Sequence, residues 1–429
     1  MNIINKQAKR VVIIGGGFAG INFIKRLSKH QEFDITLVDL NNYNFFPPLL
    51  YQVATGFLEP SSISYPFRKF LRNRQNVHFR LGRLKKIIPA ENKIILDNGD
   101  LNYDILVIAT GAATNFFGME NVIRHAIPMK TLSDALAMRN ILLNRLEEAS
   151  RTSDHELKRK LLTIVIAGAG PTGVEVSGMF AEMRQSIIRK DYPELGKGFS
   201  EIILVDGGDA VLGPMSVKSQ HYSKESLEKL GVKILLNTRV KDFDGETVSF
   251  VSGDPIKTKN VIWAAGVSAI PFEGLPAACF GPGKRILVDA YNKVQDTENI
   301  YAIGDTCFQT TDAAFPKGHP QVAQVAIQQG KQLAKNLANN HNPQPFAYHD
   351  KGSMAIIGRN KAVADIPKPK LHFAGFIAWA IWLFIHVMSL LTNKNRLRTL
   401  RNWVIAYFSK DQSFRMIIRP QGKDGNIEA

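Results

Sequence analysis

Arg10-Val-Val-Ile-Ile-Gly-Gly-Gly-Phe-Ala-Gly20 carries the strongest fold signal in the chain. Its apolar run is β-branched and stops at glycines, as a strand buried on both faces does. A helical pattern follows from Ile21 to His30, and Asp34–Asp39 reads as a second strand, which makes a βαβ unit. Gly15, Gly17 and Gly20 fit G-x-G-x-x-G between strand and helix. That spacing serves a tight turn, close approach of a pyrophosphate to the backbone, and close helix–strand packing. The helix N-terminus adds unpaired N–H groups and the positive end of a dipole. Asp39 stands 19 residues after Gly20, where a carboxylate accepts hydrogen bonds from ribose hydroxyls. A glycine triplet alone is a weak signal; strand, helix and acid together specify a dinucleotide site.

Outward from this unit the organisation repeats. Tyr103–Thr110 is another buried strand, ending in Thr110-Gly111. Leu162–Ala167 is a strand, Gly168, Gly170 and Gly173 form a second glycine motif, and Val174 to about Lys190 is a helix. Glu201–Asp206 is the next strand, and Asn260–Ala265 ends in Gly266, echoing residues 109–111. Asp206 lies 33 residues beyond Gly173, further than the roughly 20 expected, so Met183–Ser200 holds a longer helix or an insertion. A carboxylate there accepts a 2′-OH and repels a 2′-phosphate. No arginine follows closely on that strand, which favours NADH over NADPH; the competing reading has Asp206 capping the Gly207-Gly208 turn. Ile300–Ile303 then leads into Gly304-Asp305, a return to the first domain. The expected fold is α/β, two nested Rossmann-like domains followed by a C-terminal helical region. The expected division is 1–118 with 270–345, then 119–269, then 346–429.

Composition narrows the class. The formal net charge is +16 and there are two cysteines, Cys279 and Cys307. Without a C-x-x-C pair, a disulfide framework and a cysteine-rich metal site are excluded, and no metal is expected. The stretch Met1–Arg10 lacks the apolar core of a signal peptide, so the main body is expected in the cytoplasm. The charge calls for an anionic partner, and no nucleic-acid-binding motif is present to supply one.

Further motifs carry a closer resemblance. Asn41-Asn-Tyr-Asn-Phe-Phe-Pro-Pro-Leu-Leu-Tyr-Gln-Val-Ala-Thr-Gly56, Gly168–Glu175, Asn260–Val267, Ile300–Asp305, Pro320–Gly330 and Tyr348–Arg359 occur in this order. The set resembles the type II, non-proton-pumping NADH:quinone oxidoreductases, from Arg10 to about Arg419. The resemblance implies FAD on the N-terminal site, with Asp305 toward a ribityl hydroxyl, and NADH on the inner one, closed by Ala265 and Gly266. It implies hydride transfer from NADH to flavin and two electrons onward to a membrane quinone. By position, Gln324 and Gln328 line a quinone pocket; they are four apart, on one helix face. Glu175 stands by the nicotinamide, and Lys351 is a further candidate near flavin or quinone. The structural alternatives are a Gln-rich helix that satisfies buried backbone and an ordinary helix carboxylate. Asp206 departs from the family, where glutamate is more common.

The tail decides the location. Residues 371–391 contain no Lys, Arg, Asp or Glu, and 17 of the 21 are apolar. That length barely crosses a hydrocarbon core of about 30 Å. Lys394, Arg396, Arg398, Arg401, Lys410, Arg415 and Arg419 follow, with Asp411 the one acid. A crossing would place this basic tail outside, against the positive-inside tendency. A monotopic anchor on the cytoplasmic face of the inner (plasma) membrane is therefore favoured. Residues 371–419 would meet an anionic surface, with Trp379, Trp382, Trp403 and Tyr407 at interfacial depth. A spanning helix is the minority alternative, and a homodimer interface the third. The rival activities are a sulfide:quinone reductase, which needs paired cysteines, and a soluble NADH-dependent flavin reductase, which needs no tail.

Overall fold

The computed structural model describes residues 8–195, 200–409 and 414–418. They form two compact units. The first gathers the described residues of Met1–Phe45 with Tyr65–Ala113 and Val267–Asp350; the second gathers Phe46–Ser64, Thr114–Gly266 and the described residues from Lys351 onward.

In the first unit the quoted stretch is the centre of a parallel sheet. Lys9–Ile14 lies between Phe33–Asp39 and Ile105–Ile108, with Val77–Leu81 and Ile300–Ala302 outside them. Val11, Val12, Ile13 and Ile14 are all buried, which is why the run needs no polar alternation. Helix Phe18–Leu27 follows and meets helix Ala323–Ala338, where a Cβ on Gly330 would stand 2.3 Å from the Ala19 carbonyl oxygen. Only glycine permits that approach. On one side Val12, Ile14, Tyr103, Leu106 and Ile300 join a core with Ile87, Ile286 and Val294.

The second unit repeats the plan. Ile164–Ala167 lies between Ile202–Val205 and Asn260–Trp263, with Val232–Leu235 and Ile127–Pro128 outside, all parallel. The helix after the glycine motif starts at Pro171, which suits its first turn, and runs to Met183. It continues as a π turn, Arg184–Ile188, and a short Arg189–Asp191 helix. This extension accounts for the long spacing to Asp206; residues 196–199 lie outside the described ones. Midway along, a Cβ on Gly178 would sit 1.7 Å from the Ile357 carbonyl oxygen, so helix and strand Ser353–Gly358 touch backbone to backbone.

The apolar tail departs from the sequence reading. Leu371–Ala374 is a strand, paired with Lys361–Ile366, and Gly375 turns at φ +72° into helix Phe376–Ser389. Fourteen residues reach only about 21 Å. Among the described residues no helix is long and apolar enough to cross a membrane, so the spanning alternative for 371–391 is set aside. A count of apolar residues cannot separate a strand at the edge of a sheet from a helix that meets lipid. The tryptophans need the same correction. Trp382 and Trp403 are buried, and the Trp403 indole donates to Gln52 Oε1 at 2.7 Å, so these two are interior residues rather than surface anchors. Helix Asn393–Ser409 completes the unit; Lys410, Asp411 and Arg419 fall outside the described residues.

Candidate active site

The first cradle stands at the carboxyl ends of Lys9–Ile14, Ile105–Ile108 and Ile300–Ala302, where ligands bind in open α/β sheets. Gly15 takes φ +106°, and a Cβ there would lie 2.2 Å from the Ala109 carbonyl oxygen. Above Gly17 the space is open, with nothing within 4 Å of an added Cβ. On Gly20 that Cβ would meet the Gly15 carbonyl oxygen at 2.0 Å. The Gly16 N–H donates to Asp39 at 2.6 Å and the Asn41 N–H at 2.7 Å, while burial pushes the carboxyl up. Gly304 donates its N–H to Gln329 Oε1 at 2.7 Å, and the Asp305 carbonyl accepts from Gln321 at 2.9 Å. The hydroxyls of Thr110, beside Gly111, and of Thr306 are buried without partners. Open space over a helix N-terminus, flanked by orphaned hydroxyls, fits a dinucleotide. Gln329 escaped the sequence reading, because nothing local marks it as the buried member of a Gln-rich helix.

The second cradle reproduces the first almost atom for atom. Gly168 takes φ +105°, the space over Gly170 is open, and a Cβ on Gly173 would meet the Gly168 carbonyl oxygen at 1.8 Å. Asp206 accepts the Ala169 N–H at 2.6 Å and the Gly208 N–H at 2.6 Å, as Asp39 accepts those of Gly16 and Asn41. Asp206 thus caps the Gly207-Gly208 turn, as its alternative reading has it, and holds the same place beside its glycine motif as Asp39 does. Ala265 and Gly266 follow the Asn260–Trp263 strand, and the Gly266 carbonyl accepts the Asn115 N–H at 3.1 Å. The absence of a nearby arginine does not survive folding. The Thr238 N–H bonds the Asp206 carbonyl at 2.8 Å, and a Cβ on Gly207 would lie 2.8 Å from Arg239 Cγ and 3.1 Å from its Nε. Adjacent parallel strands bring their following loops together, so the arginine arrives from the next strand.

Glu175 lies on the same Pro171–Met183 helix, one turn past the cradle, and is 8% exposed. Burial pushes its carboxyl up to about 8, and the Ile356 N–H and the Trp382 indole only partly oppose the shift. It lines a cavity of about 760 Å³ together with Tyr51, Gln52, Met179, Glu182, strand Ser353–Gly358 and the two C-terminal helices. Gln52 donates to the Tyr51 hydroxyl at 2.8 Å and accepts from Trp403, which fixes both side chains at the cavity wall. His386 stacks on Trp382 at 3.8 Å between ring centres, and burial lowers it to about 4, so it is neutral. Gln324 and Gln328 belong to the first unit. The Gln324 amide oxygen accepts a long 3.5 Å bond from the Tyr348 hydroxyl, and Gln328 is bonded in both directions to the His349 backbone. Cys307 is buried, its thiol pushed up to about 11, and both cysteines are free.

Two duplicated cradles on two parallel sheets define the pyridine nucleotide-disulphide oxidoreductase class, whose family model matches residues 9–330. The NDH2 C-terminal domain model matches residues 350–411. The chain is 36% identical over 415 residues to the type II NADH:quinone oxidoreductase Ndh of Mycobacterium tuberculosis, covering 93% of this chain and 88% of that one. NDH2 from Plasmodium falciparum, solved in complex with NADH, superposes with a TM-score of 0.86 at 23% identity, covering 96% and 100% of the two chains. The sulfide:quinone oxidoreductase of Aquifex aeolicus shares the fold at a TM-score of 0.70 and 21% identity, with 94% and 96% covered. The chain belongs to the type II NADH:quinone oxidoreductases. Sulfide chemistry, which needs paired reactive cysteines, is disfavoured by two free buried thiols.

Proposed function

We propose that the chain oxidises NADH on the second cradle and reduces a quinone whose apolar body enters the cavity at Glu175. One observation carries the reading. A single helix, Pro171–Met183, has the nucleotide cradle at its N-terminus and, one turn on, a carboxyl that stays protonated at neutral pH inside an apolar cavity. FAD, bound through Gly15, Gly17, Gly20, Asp39, Thr110, Gly111, Gly304 and Asp305, supplies the two-electron chemistry. Gly168, Gly170, Gly173, Asp206, Ala265 and Gly266 hold NADH. Gln324 and Gln328 flank the electron-transfer centre, Gln328 by fixing the His349 segment. By cofactor the chain divides at residues 118, 269 and 345, whereas the compact units group 46–64 and the described tail with the NADH part.

Exposed Phe376, Ile377, Phe384 and Phe408, among exposed Lys394, Arg398 and Arg401, support docking on an anionic membrane, on its cytoplasmic face. Pairing of two copies through this face is the competing occupant.

Leu383 lines the cavity, so Leu383→Trp tests the reading. Overpacking of about 1–3 kcal/mol corresponds to a rise in quinone KM of about fivefold to 150-fold, with NADH:ferricyanide turnover unchanged. An unaltered quinone KM sinks the assignment.

The donor preference is testable in the same assay. Asp206→Arg weakens NADH more than NADPH, and Arg239→Ala lowers NADPH about threefold to tenfold relative to NADH by removing a guanidinium beside Gly207. An unchanged ratio in both variants argues against the ribose-edge placement.

A further inference from the structure

We propose that Glu182 is the outer station of the proton supply, reloading Glu175 from water along one face of the Pro171–Met183 helix. This rests on the cavity being the quinone's place. NADH gives up two electrons and one proton as hydride, and a quinone becomes quinol by taking two electrons and two protons. One proton per turnover therefore comes from water.

Glu175 is positioned to deliver it but is buried, so it needs a route for reloading. Glu175, Met179 and Glu182 stand at i, i+4 and i+7, one face of the helix, and all three line the cavity. The two carboxyls are about 10 Å apart along the axis, a span that water held by the polar Tyr51 and Gln52 side chains of the wall would bridge. Glu175 is buried while Met179 and Glu182 are partly exposed, so the row runs from interior toward solvent.

Groups that face Glu182 come from three elements. From the hairpin after Ser353, the Arg359 N–H donates to its carboxylate, and the Arg359 and Lys361 charges oppose the upward push of burial. From Leu50–Ala54, the Tyr51 phenol feels both carboxyls. From Asn393–Ser409, Tyr407 holds the Arg359 guanidinium 4.1 Å above its ring. A structural Glu182 would hold the Arg359 N–H, which a glutamine oxygen also accepts.

Glu182→Gln in the full-length flavin-loaded enzyme separates the two roles. Ferricyanide is the control acceptor, because two of them take the electrons of one NADH and release its proton. Expected are a quinone kcat lowered about tenfold at pH 8 and less at pH 6, and a ferricyanide rate within twofold of the parent. Added imidazole buffer, a small diffusible acid, restores the quinone rate. An unchanged quinone pH profile, an equal loss with both acceptors, or no rescue by imidazole overturns the relay. If Leu383→Trp raises quinone KM while Glu182→Gln changes nothing, only the relay falls; if Leu383→Trp is silent, the cavity reading falls first.

Discussion

Glu175→Gln lowers quinone turnover on the order of a hundredfold at pH 7, the scale of a lost general acid, while ferricyanide turnover stays within about twofold. The parent enzyme loses quinone activity as pH rises through about 8, where Glu175 gives up its proton; the variant shows no such limb. Stability supplies an independent readout. The folded carboxyl keeps its proton up to about pH 8, whereas the unfolded one ionises near the usual 4.5. The native state therefore binds the extra proton between these values, and stability falls as pH rises across that window. Glutamine cannot ionise, so the variant gains thermal stability over the parent, more at pH 8 than at pH 5. Equal quinone and ferricyanide losses, or a stability difference that ignores pH, would count against a buried protonated acid.

Replacing Phe376, Phe384 and Phe408 together by Ser abolishes vesicle binding and leaves the NADH:ferricyanide reaction intact. These rings are 59%, 67% and 79% exposed, so the folded core loses little. A phenylalanine moved from water into an apolar phase is worth about 1.5–3 kcal/mol. Even at half insertion the three contribute about 3 kcal/mol, on the order of a hundredfold in partition. Reversing Lys394, Arg398 and Arg401 to Glu removes about 1 kcal/mol per charge and does so only on anionic vesicles at low salt. Flotation with phosphatidylglycerol and phosphatidylcholine vesicles distinguishes the two contributions. A triple variant that still floats, or one whose loss of floating is matched by dissociation of a dimer, removes the lipid assignment.

Local pattern alone determined the two βαβ units, because a fully buried strand is apolar without alternation and the glycine motif at its end is contiguous in the chain. Asp39 and Asp206 were legible for the same reason: each closes the strand after a glycine motif, even with the insertion that delays Asp206. Folding decided everything that depends on which elements become neighbours. Arg239 reaches Gly207 because parallel strands set their following loops side by side, and Gln329 bonds Gly304 because Gly330 lets two helices touch. Residues 371–391 divide into strand and helix because Val363 and Asp365 offer pairing partners to Ala374 and His372. Glu175 and Glu182 share a cavity only because Gly178 lets their helix seat against the Ile357 backbone. Hydrophobic periodicity reports which residues leave water, but not which groups meet once water is gone, and the site's chemistry is made by those meetings.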